Sequence, residues 1–168
     1  MKNLLLVIDM QEGFRYAESE SILSNILKLK KLFDGKVVFS KFVNNEGSLF
    51  EKQLNWTKFK NDLDRKLFSE LQSSNNIELE HNNYTVLNDK LKEFISKNTI
   101  AKVYLCGIYT DVCIIKTAMD LFDNGLETFV IEDACNSLHG KLNHDSAISS
   151  LGHILGKKRI LLTKDICL

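Results

Sequence analysis

Short aliphatic runs alternate along this chain with stretches whose apolar residues recur every three or four positions. The spacing predicts buried strands at residues 4–8, 37–42, 103–105, 128–131 and 160–162, with a further candidate at 77–79. It predicts amphipathic helices at residues 21–33, 87–95, 111–123 and 144–155, with Gly35 and Gly125 as stop signals. Strands and helices that alternate in this way indicate an α/β fold, a three-layer αβα sandwich around a mostly parallel sheet.

The length of the chain fits one domain. Its 168 residues are enough to close a single buried core without disulfides or metal. Neither an internal repeat nor a linker interrupts the pattern, so we expect residues 1–168 to form a single domain. The four cysteines show no spacing typical of a metal site, and we expect them to be thiols.

Charge and hydropathy restrict the partners. The 22 basic and 22 acidic residues balance, which gives no reason to expect binding to nucleic acid and favours a small-molecule partner. The first apolar run ends at Asp9 and resembles no signal peptide, and no stretch approaches the roughly 18 apolar residues that cross a bilayer. We expect a cytoplasmic protein that does not contact membranes.

Two reactive residues fall where predicted strands end. Asp9 follows the first run directly, and Cys113 follows the run that ends at Gly107. Sites of α/β sheets gather at the carboxyl ends of the strands. With Thr110 or Asp111 as the helix cap, Cys113 would lie in the first turn, where free amides and the helix dipole favour a thiolate and could bind an oxyanion. The alternatives are a turn residue for Asp9 and a buried structural thiol for Cys113.

Four segments in order carry a family resemblance: residues 6–11 (Leu-Val-Ile-Asp-Met-Gln), Phe14, residues 106–113 (Cys-Gly-Ile-Tyr-Thr-Asp-Val-Cys) and residues 130–135 (Val-Ile-Glu-Asp-Ala-Cys). Over nearly its whole length the chain resembles the isochorismatase-like cysteine hydrolase superfamily, which includes nicotinamidases, N-carbamoylsarcosine amidase and isochorismatases. The resemblance implies the isochorismatase-like hydrolase fold with a Rossmann-like sheet, and a homodimer or larger homo-oligomer.

The resemblance also implies a mechanism. Asp9 would take the thiol proton, and Cys113 would attack the carbonyl carbon of a small amide, imide or ureido compound to form a thioester that water hydrolyses. In this family a cis peptide usually precedes the threonine, here Ile108–Tyr109. It would aim the amides of Tyr109 and Cys113 at the oxyanion.

The sequence departs from the family at the lysine of the Asp-Lys-Cys triad, whose position is occupied by His81. A protonated His81 could replace the ammonium and stabilise a thiolate, or His81 could act as a general base. It could also end an edge strand in a protein that has lost turnover. Lys41, near the end of the second strand, is another candidate for the missing cation.

A metal is not expected. Nicotinamidases carry metal-binding histidines after the second strand, but residues 42–48 here contain none, so we expect no metal, no other cofactor, and a substrate other than nicotinamide. His139, His144 and His153, all in the last third of the chain, are predicted to have surface or core roles.

Aromatic residues are expected around the substrate. Phe14, Trp56 and Tyr109 are predicted to line a small, mostly apolar pocket. Residues 48–56 contain the only tryptophan, and they favour either a lid over the site or a short helix that packs Trp56 into the core or an interface.

Three functions are compatible with these residues. The first is a metal-independent cysteine hydrolase. The second is a catalytically impaired relative that binds a small molecule or a protein through the same cleft. The third is a thiol redox sensor, but it needs a resolving cysteine, and Cys106 within the adjoining strand is predicted to point into the core.

Overall fold

The computed structural model describes residues 2–33 and 35–166. A six-stranded, entirely parallel sheet has the strand order β3-β2-β1-β4-β5-β6. The strands are β1 (Lys2–Ile8), β2 (Val37–Phe42), β3 (Ile77–His81), β4 (Ile100–Gly107), β5 (Glu127–Cys135) and β6 (Ile160–Leu161). Helices flank the sheet, and the predicted αβα architecture is confirmed.

The six predicted strands are present, with different lengths. β3, β4 and β5 extend beyond the predicted 77–79, 103–105 and 128–131. The aliphatic pattern marks only the buried centre of a strand, whereas the ladder of backbone hydrogen bonds continues into polar residues. The extension of β3 matters most because its last residue is His81.

The helices are α1 (Ala17–Ser21), α2 (Leu23–Leu32), α3 (Leu49–Leu54), α4 (Asp62–Arg65), α5 (Asp89–Lys97), α6 (Ile115–Asp123) and α7 (Lys141–Ile154). The predicted helix 21–33 is thus mostly α2, and the predicted helix 111–123 is divided into a π-helical turn, Thr110–Ile114, and α6. As expected, Gly125 follows α6 with a positive φ of 78°. The short α4 was not predicted, because four residues are too few to show a helical period.

The ends of β1 and β4 approach each other closely. Gly107 ends β4 with a φ of +113°, and a Cβ atom on it would lie 2.1 Å from the carbonyl oxygen of Ile8. Only glycine fits this position. β1 and β4 are also the strands at which the order along the sheet reverses, the place where open α/β sheets bind ligands.

Within residues 2–33 and 35–166, none of the helices combines the length and the apolar character that a bilayer crossing requires. Cys106, Cys113 and Cys135 are free thiols, as expected, while Cys167 lies outside the described residues.

Candidate active site

Asp9 lies at the carboxyl end of β1 and is 1% exposed. Its φ of 54° turns the chain sharply after the strand. The Ser40 hydroxyl of β2 donates to Asp9 Oδ1 at 2.7 Å, and the Asp9 amide donates to Ser40 Oγ at 3.2 Å. The other carboxylate oxygen, Oδ2, is buried without a hydrogen-bond partner among the described residues. Asp9 therefore has one oxygen held in place and one that can take a proton.

Gln11 fixes the loop that follows Asp9. Its side chain accepts from the Phe42 amide at 2.7 Å and donates to the Phe42 carbonyl oxygen at 3.0 Å. This pair of hydrogen bonds joins the end of β1 to the end of β2. It explains why an amide side chain follows Asp9 in the motif.

His81 ends β3 and reaches the same carboxylate. Its Nε2 lies 2.7 Å from Asp9 Oδ1, and its Nδ1 lies 2.8 Å from the Asn83 carbonyl oxygen. A carbonyl oxygen only accepts, so Nδ1 carries a proton. Burial lowers the pKa of His81, but the Asp9 charge and the hydrogen bonds to Asp9 and Asn83 outweigh burial and raise that pKa above 6.5. The contacts and the raised pKa therefore favour an imidazolium at His81, bound to the Asp9 side chain.

Cys113 lies in the π-helical turn that joins β4 to α6, and its side chain interacts with Asp9. Burial raises the pKa of the Cys113 thiol well above its ordinary value, and the Asp9 carboxylate raises it further, against a hydrogen bond from the Tyr109 amide that lowers it. This direction of the Cys113 pKa favours the thiol over the expected thiolate. Desolvation and the neighbouring Asp9 charge raise the thiol pKa by more than the amides at the start of the helix lower it.

The expected cap of this helix is wrong. Tyr109 is the N-cap residue, and no side chain caps the turn. Thr110 Oγ1 instead lies 2.9 Å from His144 Nδ1, and Asp111 Oδ2 lies 2.7 Å from His139 Nδ1. Both polar side chains are thus bound to histidines from the segment after β5.

The backbone before Cys113 is arranged as the resemblance implies. The Ile108–Tyr109 peptide bond is cis. Within the described residues, the Tyr109 amide donates to no oxygen, and the Cys113 amide donates to none outside its own helical turn. The Tyr109 amide contacts the Cys113 thiol, so both amides of the expected oxyanion site lie beside this side chain.

A cavity of about 270 Å³ opens above Asp9 and Cys113. Phe14, Trp56 and Tyr109, the three residues predicted to bind substrate, all line it. The Phe14 ring lies 6.2 Å from the Trp56 ring and 5.5 Å from the Tyr109 ring. Sequence reasoning missed the remaining lining residues, which are Phe42, Phe50, Leu54, Tyr84, Val112 and His139.

Several of these residues had a signal that could have indicated their place. Phe50 and Leu54 belong to the possible lid at residues 48–56. Val112 lies within the 106–113 motif, and Phe42 ends a predicted strand. A neighbouring cleft of about 460 Å³ shares Phe50, Leu54 and Tyr84 as walls but contains neither Asp9 nor Cys113. Of these two cavities, the smaller one is therefore the candidate active site.

Residues 48–56 form the short helix that was one of the two expected arrangements. Ser48 caps α3 by accepting a hydrogen bond from the Glu51 amide at 3.3 Å. Trp56 packs half-buried against the rings of Phe42 and Phe59, each with a centroid separation of 5.5 Å. The helix contributes Phe50 and Leu54 to the cavity wall, so it shapes the pocket directly.

Lys41 does not join the cluster. Its Nζ lies 2.9 Å from Glu78 Oε2 and 3.9 Å from Glu80 Oε1 on the neighbouring β3. Successive side chains of a strand point to opposite faces, and Ser40 is the one that meets Asp9. The alternative in which Lys41 supplies the cation is wrong.

The residues near β2 do not fit a metal. In residues 2–33 and 35–166, no three histidine, cysteine, aspartate or glutamate side chains converge as ligands. Asn44, which follows β2, uses its amide nitrogen on the carbonyl oxygens of Trp56 and Lys58. Cys106 is 0% exposed, as expected, and burial raises its pKa.

The Isochorismatase domain model matches residues 3–157. The chain belongs to the isochorismatase family. An isochorismatase domain-containing protein 2 from Rattus norvegicus is 44% identical over 54 residues, which are 32% of this chain and 25% of the rat protein. The match thus spans only a quarter of that relative's length.

Solved structures share the isochorismatase fold. An isochorismatase-like hydrolase from Alkaliphilus metalliredigens superposes with a TM-score of 0.87 at 17% identity, covering 98% of this chain and 96% of that one. N-carbamoylsarcosine amidase from Thermoplasma acidophilum superposes with a TM-score of 0.83 at 21% identity, covering 99% of each chain. At these identities the likeness establishes the fold.

Proposed function

We propose that this isochorismatase-family chain is a metal-independent cysteine hydrolase that cleaves a C–N bond of a small amide, imide or ureido compound. The observation that carries the proposal is that the Asp9 carboxylate meets both His81 and Cys113 at the floor of an aromatic cavity. Family membership supports a hydrolase, and the fold shared with an amidase supports amide chemistry.

The first step forms a thioester. As the Cys113 sulfur attacks the substrate carbonyl carbon, its proton passes to Asp9, whose Oδ2 has no other partner. The amides of Tyr109 and Cys113 stabilise the oxyanion. When the C–N bond breaks, Asp9 returns the proton to the leaving nitrogen, which departs as a neutral amine or ammonia. The Cys113 thioester remains.

His81 acts as a fixed cation in this scheme. Both of its ring nitrogens are occupied, by Asp9 and by the Asn83 carbonyl, so His81 cannot exchange a proton with Cys113. Its positive charge compensates and orients the buried Asp9 carboxylate. The second step is hydrolysis of the thioester by water, which releases the acid and restores the Cys113 thiol.

Ammonia or amine release from a panel of small amides, cyclic imides and N-carbamoyl amino acids tests this proposal. We expect Cys113→Ala to abolish turnover and Asp9→Asn to lower kcat by about 10²–10⁴. Asp62→Asn, on the exposed α4, is the matched control and should retain full activity. Turnover that survives Cys113→Ala would exclude the thioester route.

The raised pKa of the Cys113 thiol favours a second candidate, a catalytically impaired relative that uses the cavity for binding. The same panel separates the two functions. A binding module would change the fluorescence of Trp56, the only tryptophan, on addition of a ligand but would release no product and acquire no adduct at Cys113.

A further inference from the structure

A second carboxylate–imidazole pair lies at the rim of the cavity. His139 Nδ1 is 2.7 Å from Asp111 Oδ2, and the His139 ring packs against the Tyr109 ring with centroids 5.0 Å apart. The His139 amide donates to Ser137 Oγ at 3.0 Å, which fixes the backbone of this turn. The imidazole is therefore held by a carboxylate, an aromatic ring and its own backbone.

The two carboxylate–histidine pairs differ in how many ring nitrogens of the histidine have a hydrogen-bond partner in the described structure. His81 uses both ring nitrogens inside the protein, and its side chain is 1% exposed. The His139 side chain is 55% exposed, and within the described residues only its Nδ1 has a partner. Because Asp111 holds the proton on Nδ1, the lone pair of a neutral His139 lies on Nε2. His139 can therefore accept a proton, whereas His81 cannot.

Cys113, Asp9 and His139 line one cavity of about 270 Å³, which is large enough to hold water. Hydrolysis of a thioester on Cys113 needs a water molecule and a base that faces it. Asp9 offers only Oδ2 to the cavity, because Oδ1 already accepts from Ser40 and His81, and its carboxylate is 1% exposed. His139 combines access to solvent with a free nitrogen.

We propose that His139, oriented by Asp111, is the general base that activates water for hydrolysis of the Cys113 thioester. This inference rests on the proposed hydrolase function. The water oxygen attacks the thioester carbonyl carbon while its proton passes to His139 Nε2. As the C–S bond breaks, the proton returns to the Cys113 sulfur, so a carboxylic acid and a thiol are formed. The Asp9–His81 pair thus serves the first step, and the Asp111–His139 pair serves the second.

An activated ester tests the second step without knowledge of the natural substrate. p-Nitrophenyl acetate acylates a reactive thiol and releases coloured nitrophenolate, after which turnover is limited by hydrolysis of the acetyl thioester. We expect His139→Gln to keep the initial burst but to lower the steady-state rate by at least about 10². Mass spectrometry should find the acetyl group accumulated on Cys113. Added imidazole should restore part of the rate, which it would not do if the role of His139 were only structural.

His153→Gln, on the exposed side of α7, is the matched control and should hydrolyse the acetyl thioester at the wild-type rate. If His139→Gln also hydrolyses it at that rate, the inference is overturned and the proposed hydrolase function stands. If the wild-type protein shows no burst that Cys113→Ala removes, the proposed function fails, and the role of His139 fails with it.

Discussion

His81 Nε2 lies 2.7 Å from Asp9 Oδ1, although β2 separates the strands that carry the two residues. Strands lie about 4.8 Å apart in a sheet, so the pair spans roughly 10 Å of backbone. Ser40, on the intervening strand, donates to the same oxygen. Three neighbouring strands thus position a single buried carboxylate beside the Cys113 thiol.

The first prediction concerns the charge at position 81. His81→Lys keeps a cation near Asp9 and should retain measurable amide hydrolysis, whereas the neutral His81→Gln should lower kcat by about 10² or more. His81→Gln should also lower the free energy of unfolding by about 3 kcal/mol, because it leaves a buried carboxylate without its counter-ion. Kinetics and urea denaturation measure both effects. Equal activity of the two variants would show that the charge at position 81 is not needed.

The second prediction concerns pH and stability. Because folding raises the pKa of His81 above 6.5, protonated His81 favours the folded state. Its contribution is fully present below the unfolded pKa and is lost as the pH rises through the folded pKa. The difference in unfolding free energy between the wild type and His81→Gln should therefore shrink as the pH rises above about 6.5, the unfolded pKa. A difference that grows over this range would contradict the assigned charge state.

The third prediction concerns the thiol. Burial raises the pKa of Cys113 first, and the Asp9 charge raises it further. Asp9→Asn removes that charge, so it should lower the thiol pKa and speed iodoacetamide labelling of Cys113 at neutral pH, even though it slows hydrolysis. Peptide mass spectrometry measures labelling at each cysteine. In Asp62→Asn the rate should not change, and a slower rate in Asp9→Asn would mean that Asp9 favours the thiolate.

The fourth prediction concerns the glycine at the end of β4. Gly107→Ala places a methyl group against the Ile8 carbonyl oxygen and should lower the free energy of unfolding by about 4 kcal/mol or more, or prevent folding. Gly125→Ala also places a side chain at a positive φ, of +78°, but among the described residues no atom lies within 4 Å of the new Cβ. Gly125→Ala should lower the free energy of unfolding by about 1–2 kcal/mol. Similar losses at both positions would show that the contact with Ile8 relaxes without cost.

The sequence predicted the parts of this molecule that local chemistry specifies. Aliphatic runs indicated the strands because burial on both faces of a parallel sheet requires continuous apolar residues. The parallel arrangement then predicted that Asp9 and the segment leading to Cys113 meet at one edge, because carboxyl ends of parallel strands share that edge. These conclusions needed only the residues near each position and the order of the elements.

The tertiary structure decided the state and the partners of those residues. The protonated Cys113 thiol and the raised pKa of His81 arise from burial and from charges on segments far apart in the chain. The pairing of His139 with Asp111 joins residues 28 positions apart. Local spacing does not encode such contacts, because a pKa depends on the dielectric surroundings and on every charge nearby in space.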